Sequence, residues 1–165
     1  MHRDSKASVD IVDFADCYGD AFARLNIEWL EEYFVVEPVD HEVLSNPRRH
    51  IIEPGGAILY ACIKGQAVGT VALKYSGAGV FELTKMAVTA RCQGMGIGRQ
   101  LLRAALRRFH DLGGERLYLE SNRSLATALA LYESAGFRHE TPPKRSEYAR
   151  ADVYMVYRPD TVASG

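Results

Sequence analysis

The sequence predicts a single α/β (α+β) domain, a mixed central sheet with about four helices on its faces. Three observations carry that expectation. Strand-like and helix-like runs succeed one another from Val9 to Tyr157. One strand-like run passes into an amphipathic helical one through three alternating glycines, Gly94, Gly96 and Gly98. The 165 residues, 47% hydrophobic and 25% charged, supply one core and leave no need for a second domain. The domain is expected over residues 1–160, with 161–165 as a loose tail.

Taken in order, Val9 to Phe14 alternates weakly and reads as an edge strand. Phe22, Leu25, Trp29, Leu30 and Tyr33 recur at helical spacing, which makes Ala21 to Phe34 a helix. Pro38 opens a short second helix, Val39 to Leu44, and Asn46-Pro47 ends it because proline disfavours continuation. Ala57 to Ile63 and Val68 to Tyr75 read as strands joined by a turn at Lys64-Gly65-Gln66. Ser76-Gly77-Ala78-Gly79 turns the chain again, into a strand from Phe81 to Val88. From Arg99 to Leu112 the residues Leu101, Leu102, Ala105, Leu106, Phe109 and Leu112 form one apolar stripe, and Gly113-Gly114 stops the helix. A strand from Arg116 to Glu120, a helix from Leu125 to Ala135 closed by Gly136, the Pro142-Pro143 break and a strand from Asp152 to Tyr157 complete the pattern. There is no internal repeat or low-complexity segment.

The glycine junction carries the chemistry. Without side chains at Gly94, Gly96 and Gly98 the backbone can approach an anion closely, and the unpaired N–H groups of the first helical turn aim the positive end of the helix dipole at it. A phosphate or pyrophosphate is the expected ligand. Arg99 and Arg103 share the face of that helix nearest its start and offer planar guanidinium groups to phosphate oxygens, whereas Arg107 is expected to be solvated. A dinucleotide-binding fingerprint has G-x-G-x-x-G early in a strand–helix–strand unit; here the spacing is G-x-G-x-G, in mid-chain, after Gln93. Glu120 does fall near the distance at which such a unit places its acidic residue, so spacing alone leaves that option open.

Four ordered segments resemble the GNAT superfamily of acetyl-CoA-dependent N-acetyltransferases. Gln93, Gly96 and Gly98 fill its Arg/Gln-x-x-Gly-x-Gly/Ala motif, and Glu82-Leu83-Thr84-Lys85-Met86-Ala87-Val88 is similar to its fourth strand. Leu117 to Asn122 is similar to its fifth strand, and Ala128 to Phe137 to its Ala-x-x-Leu-Tyr-x-x-x-Gly-Phe segment. The resemblance implies a mixed, mostly antiparallel central sheet and coenzyme A as the phosphate-bearing ligand. By the same implication Gly94, Met95, Gly96, Ile97, Gly98 and Arg99 hold the pyrophosphate through their amides, Met86 and Val88 pair with the pantetheine arm through their main chain, and Asn122 hydrogen-bonds that arm. The thioester oxygen is expected on a main-chain N–H at a bulge near Ala87-Val88.

Acyl transfer to an amine needs a neutral amine, a polarised thioester carbonyl and a proton for the departing thiolate. Glu82 is an acid among Phe81, Leu83, Met86 and Val88, a costly placement unless the carboxylate is paired or used, and it is assigned as general base, directly or through a water. Tyr132 matches the family tyrosine that lies near the coenzyme sulfur, which implies the general acid. In this fold the first two helices wall the acceptor site, so Glu28, Trp29, Glu32, Tyr33 and Glu37 are candidates for amine recognition, together with Tyr148 from the late loop. The acceptor is expected to be a small-molecule amine, an amino acid or a peptide amine.

Charge supports that division of labour. Residues 1–55 carry twelve acids and five bases, a net of −7, while residues 91–150 carry eleven bases and six acids, a net of +5. A basic half suits an anionic coenzyme and an acidic half attracts a cationic amine. Nucleic acid is disfavoured because the aromatic interleaving of a stacking platform is missing. No apolar run reaches the roughly 18 residues of a membrane span and no export signal opens the chain, so a cytoplasmic protein is expected. Cys17, Cys62 and Cys92 are odd in number and lack metal-ligand spacing, which argues for reduced thiols and no metal site. Dimers are common among proteins resembling this one. Two other classes remain compatible with the residues: a non-catalytic acyl-CoA-binding regulatory module, and a Rossmann-type dinucleotide enzyme.

Overall fold

The computed structural model describes residues 8–18 and 20–159; the expected C-terminal tail, 161–165, lies outside them. The described elements are β1 (Val9–Asp13), α1 (Ala21–Tyr33), α2 (Pro38–Ser45), β2 (Ala57–Ile63), β3 (Gln66–Gly77), β4 (Val80–Val88), α3 (Ile97–Asp111), β5 (Arg116–Ser121), α4 (Ala126–Ala135), β6 (Phe137–His139) and β7 (Val153–Tyr157). The seven strands form one sheet in the order β1-β2-β3-β4-β5-β7-β6. Every pairing is antiparallel except β4 with β5. The mixed, mostly antiparallel sheet anticipated from the sequence is therefore what the chain forms.

Alternation along the strands splits the core into two layers. In β2, Leu59 and Ala61 join the α3 side with Leu101, Leu102, Ala105 and Phe109, while Ile58, Tyr60 and Cys62 face α1 and α2 with Phe22, Leu25, Leu30 and Leu44. Each fully buried large side chain contributes roughly 1.5–3 kcal/mol, so burial on both faces fixes the sheet between its helices. The β2–β3 hairpin closes through Lys64 (φ +52°) and Gly65 (φ +78°), two left-handed residues in a row that match the twist of the flanking strands.

Besides two short 3₁₀ turns, Asp16–Tyr18 and Ala90–Cys92, two elements were not anticipated. A five-residue π-helical turn, Arg48–Ile52, follows α2 and buries Ile51 completely beneath β2 and β3. Five residues opening on two arginines and a histidine are too few to show a period. Strand β6 begins directly after Gly136 and is three residues long, too short to alternate visibly.

Two irregularities position the site. Parallel pairing of β4 with β5 covers Val80↔Arg116, Phe81↔Leu117 and Glu82↔Tyr118 and then stops, although β4 continues to Val88 and β5 to Ser121. The strands splay, and the β5-facing backbone of residues 83–88 has no strand partner. Within β4 the register to β3 moves from Ala72↔Thr84 to Thr70↔Ala87, so Lys85 and Met86 stand opposite Val71 alone. That bulge lies upstream of the expected Ala87-Val88, because Lys85 is the residue that leaves the β region, at φ +57°. Its effect is to reset alternation: Phe81 and Leu83 face the α3 layer, whereas after the bulge Ala87 faces α1 and α2.

Candidate active site

The splay opens a cleft of about 1020 Å³. One wall is the free edge of β4, Leu83 to Val88; the other is the end of β5 with α4; the glycine turn closes one end, and α1 with Tyr148 and Arg150 closes the other. Helix α4 has no fully buried residue despite its Ala-Leu composition, because the side carrying Ala128, Leu131 and Tyr132 faces the cleft.

At the turn, Gly94 (φ +82°) and Gly96 (φ +81°) adopt left-handed conformations, and Gly96 stands at the N-terminal cap of α3 with no side-chain cap. A Cβ on either would meet nothing within 4 Å. The space before these amides is open, and the first-turn N–H groups of α3 keep no side-chain acceptor, which is the arrangement that receives a phosphate. Gly98 and Arg99 line the same end. Gln93 donates from Nε2 to the Val88 carbonyl at 3.1 Å, tying the turn to the end of β4. Ile97 contributes backbone there while its side chain is core, and Met95 is 45% exposed and does not line the cleft.

Glu82 lines the cleft just where the strands part. Burial first, then the Glu120 carboxylate on β5, pushes its pKa up to about 7; Lys74, its partner across the β3–β4 ladder, and Lys85 pull the other way, and Glu147 adds to the rise. The sequence showed no carboxylate near Glu82, and the parallel pairing supplies one. Tyr132 stands on the opposite wall, edge-on to Phe137 at 6.0 Å, and burial raises its phenol to about 12, so it keeps its proton. Met86, Ala87 and Val88 line the free edge. Asn122 lines the cleft too, but its amide is engaged, donating to the Arg150 carbonyl at 2.7 Å and accepting from the Ser124 N–H at 2.8 Å.

The acceptor candidates divide. Trp29, Tyr33 and Tyr148 line the cleft. The three acids do not. Glu28 accepts from Thr89 Oγ1 and the Ala90 amide and so anchors the chain beyond β4. Glu32 is exposed away from the cleft. Glu37 accepts from the Ala149 amide at 3.0 Å and from Arg150. An acidic stretch in sequence thus serves mainly to hold loops, because its carboxylates find backbone amides and a guanidinium nearby.

A buried charge cluster escaped the sequence reading. Asp40, fully buried on α2, accepts from Lys85 Nζ at 2.6 Å, from both Arg150 Nη atoms at 2.8 Å, and from the Glu37 amide at 2.9 Å. Burial opposes its ionisation, but the bonds from Arg150, Lys85 and Glu37 prevail and hold its carboxyl well below the usual range. Lys85 Nζ also donates to Tyr148 Oη at 3.0 Å, and the cations of Lys85 and Arg150 each stand 4.6 Å from the Tyr148 ring centroid. The one signal for it was Asp40 three residues after Glu37 with Pro38 between, a capping-box spacing that the structure does form. Ser146 links Glu120 to this loop, donating to its Oε1 at 2.8 Å and accepting from the Tyr148 amide.

Comparison with known proteins agrees with this geometry. The model of the acetyltransferase (GNAT) family matches residues 22–137. An uncharacterized N-acetyltransferase of Schizosaccharomyces pombe is 30% identical over 147 residues, covering 86% of this chain and 89% of that protein. Among solved structures, a GNAT-family acetyltransferase of Staphylococcus aureus Mu50 superposes with a TM-score of 0.82 at 18% identity, covering 92% of this chain and 99% of the other. The PaiA N-acetyltransferase of Thermoplasma acidophilum, solved in complex with coenzyme A, superposes with a TM-score of 0.71 at 17% identity over 92% and 99%.

Proposed function

The chain belongs to the acetyltransferase (GNAT) family, and from that premise we propose that it moves an acetyl group from acetyl-CoA to a primary amine by direct attack in a ternary complex. The observation that carries this reading is the meeting, in one cleft, of an anion-receiving turn, an unpaired strand edge and two proton-handling side chains of opposite habit, Glu82 and Tyr132.

The residues fit coenzyme A. Amides from Gly94 to Arg99 would hold its diphosphate, where a side chain at Gly94 or Gly96 would intrude on empty space. The free backbone of Met86 to Val88 would hydrogen-bond its amide-bearing arm as a strand partner does. Bound acetyl-CoA supplies the reactive thioester. Glu82, ionising near neutrality, accepts a proton from the acceptor ammonium directly or through a water, which leaves the nitrogen lone pair free to attack. Tyr132, neutral at every working pH, holds the proton that the departing sulfur requires. A main-chain N–H at the Lys85-Met86 bulge, where the register to β3 breaks, would meet the developing oxyanion.

The test is a panel of amines incubated with acetyl-CoA while free thiol is followed, beside calorimetric titration of coenzyme A. Thiol release with an amine, and micromolar-range binding, is the expected result. Tight coenzyme binding without release from any amine would replace the transferase by a sensing module.

A further inference from the structure

The Asp40–Lys85–Arg150 cluster does more than pin a loop, because it fixes the hydrogen of a cleft-lining phenol. Burial lowers the Lys85 pKa, while the 2.6 Å ion pair with the ionised Asp40 carboxylate opposes that fall and keeps the ammonium; a protonated lysine has three donors and no lone pair. In its 3.0 Å contact with Tyr148 the phenol oxygen must therefore accept. Burial, then the charges of Glu82 and Asp40, raises Tyr148 well above its ordinary range, so the O–H hydrogen stays in place. Among the described residues the Tyr148 O–H makes no hydrogen bond as a donor. Tyr148 lines the acceptor end of the cleft, and the ring cannot turn away: Lys85, with a 4% exposed side chain, and Arg150 both lie against it, and Asp40 holds the two cations.

Resting on the transferase reading above, we propose that Lys85, held by Asp40, is a positioning residue that presents the Tyr148 O–H to the acceptor, and that the acceptor is a primary amine with an oxygen atom close to its nitrogen. The reacting nitrogen is not the partner of that O–H, since its lone pair must stay free for the thioester carbon. The partner is a neighbouring carbonyl, carboxylate or hydroxyl oxygen, which selects amino acids, their amides and amino alcohols over plain alkylamines. The bulge is what makes this possible. With unbroken alternation Lys85 would point, as Leu83 does, into the α3 layer; at φ +57° it reaches Asp40 on the other side.

The experiment compares kcat/KM for amines that differ only by an oxygen-bearing carboxamide on the carbon beside the nitrogen: phenylalaninamide with 2-phenylethylamine, and alaninamide with ethylamine. Wild-type protein and variants are read by thiol release from acetyl-CoA. Differences in amine basicity cancel when the within-pair ratio of a variant is divided by that of wild type. Tyr148→Phe keeps the ring over both cations and removes only the O–H. Lys85→Met combined with Asp40→Asn removes opposite charges together, so no lone buried ion remains. The preference for the oxygen-bearing member should fall by about 2- to 13-fold in each, the range of one hydrogen bond, with the change in the acceptor's KM. A preference unchanged in Tyr148→Phe overturns the assignment of the phenol. A preference lost there but intact in the double variant overturns the role of Lys85. Absence of thiol release from every amine in wild type is a separate failure, that of the transferase reading itself.

Discussion

At the scale of single residues, the site rests on two side chains whose proton affinities move in useful directions. Glu82 ionises about pH 7, because burial and Glu120 outweigh Lys74 and Lys85. The acceptor's kcat/KM should therefore rise through pH 7, and Glu82→Gln should erase that limb and lower turnover by roughly 10²-fold or more. Stability gives an independent check with the opposite sign. A carboxyl whose folded pKa is raised makes folding bind a proton between its unfolded value near 4.5 and about 7, so its contribution is lost as pH climbs through that window. Melting temperatures of Glu82→Gln should accordingly gain on wild type between pH 5 and pH 8. Tyr132→Phe should lower kcat by roughly 10²-fold while coenzyme A affinity changes by a small factor; equal turnover would remove the phenol as acid. Glu82 was legible because an acid among apolar strand residues demands a reason, and Tyr132 because a motif marks it. Asp40, Lys85 and Arg150 were not, since 45 residues separate the first two, 110 separate the first and last, and a local backbone irregularity alone brings them together.

At the scale of elements, the strand-to-helix turn separates folding from binding in a way mutagenesis can read. Gly98 is helical, and a Cβ there would sit 3.8 Å from Leu131, an ordinary contact. Gly98→Ala should leave the fold intact, gaining up to about 1 kcal/mol of helix propensity. A methyl at Gly96, where the motif takes only glycine and a Cβ would stand in the open space before the amides, should instead crowd the diphosphate and weaken coenzyme A binding on the order of tenfold, the loss of a charge-assisted bond. Thermal melting and calorimetry on the two variants test both halves; a Gly96→Ala protein that binds as wild type would show that the turn does not cradle the ligand. Periodicity made α1, α3 and the antiparallel strands readable, because each buries a regular stripe. The bulge in β4 and the turn at Arg48–Ile52 were hidden because each breaks the period that reveals its neighbours.

At the scale of the molecule, one sheet unites both core layers, so the chain should unfold in a single transition. Coenzyme A at about 100 times its Kd should add about 2.7 kcal/mol, which for a chain of this size raises Tm by roughly 5–11 °C. Two transitions, or a ligand shift confined to one of them, would split the domain expected over residues 1–160. The charge division visible in the sequence was a weaker guide than it looked: the basic half does flank the glycine turn through Arg99, but of the acids in the other half Glu28, Glu37 and Asp40 are engaged by Thr89, Ala149 and Arg150. The parting of β4 from β5 has a consequence for the choice of donor. An interior seam with unpaired carbonyls and amides on the β4 lip offers main-chain hydrogen bonds to whatever extended, amide-bearing chain lies along it. The gap therefore asks for a tether whose own amides can complete the ladder that β5 abandons.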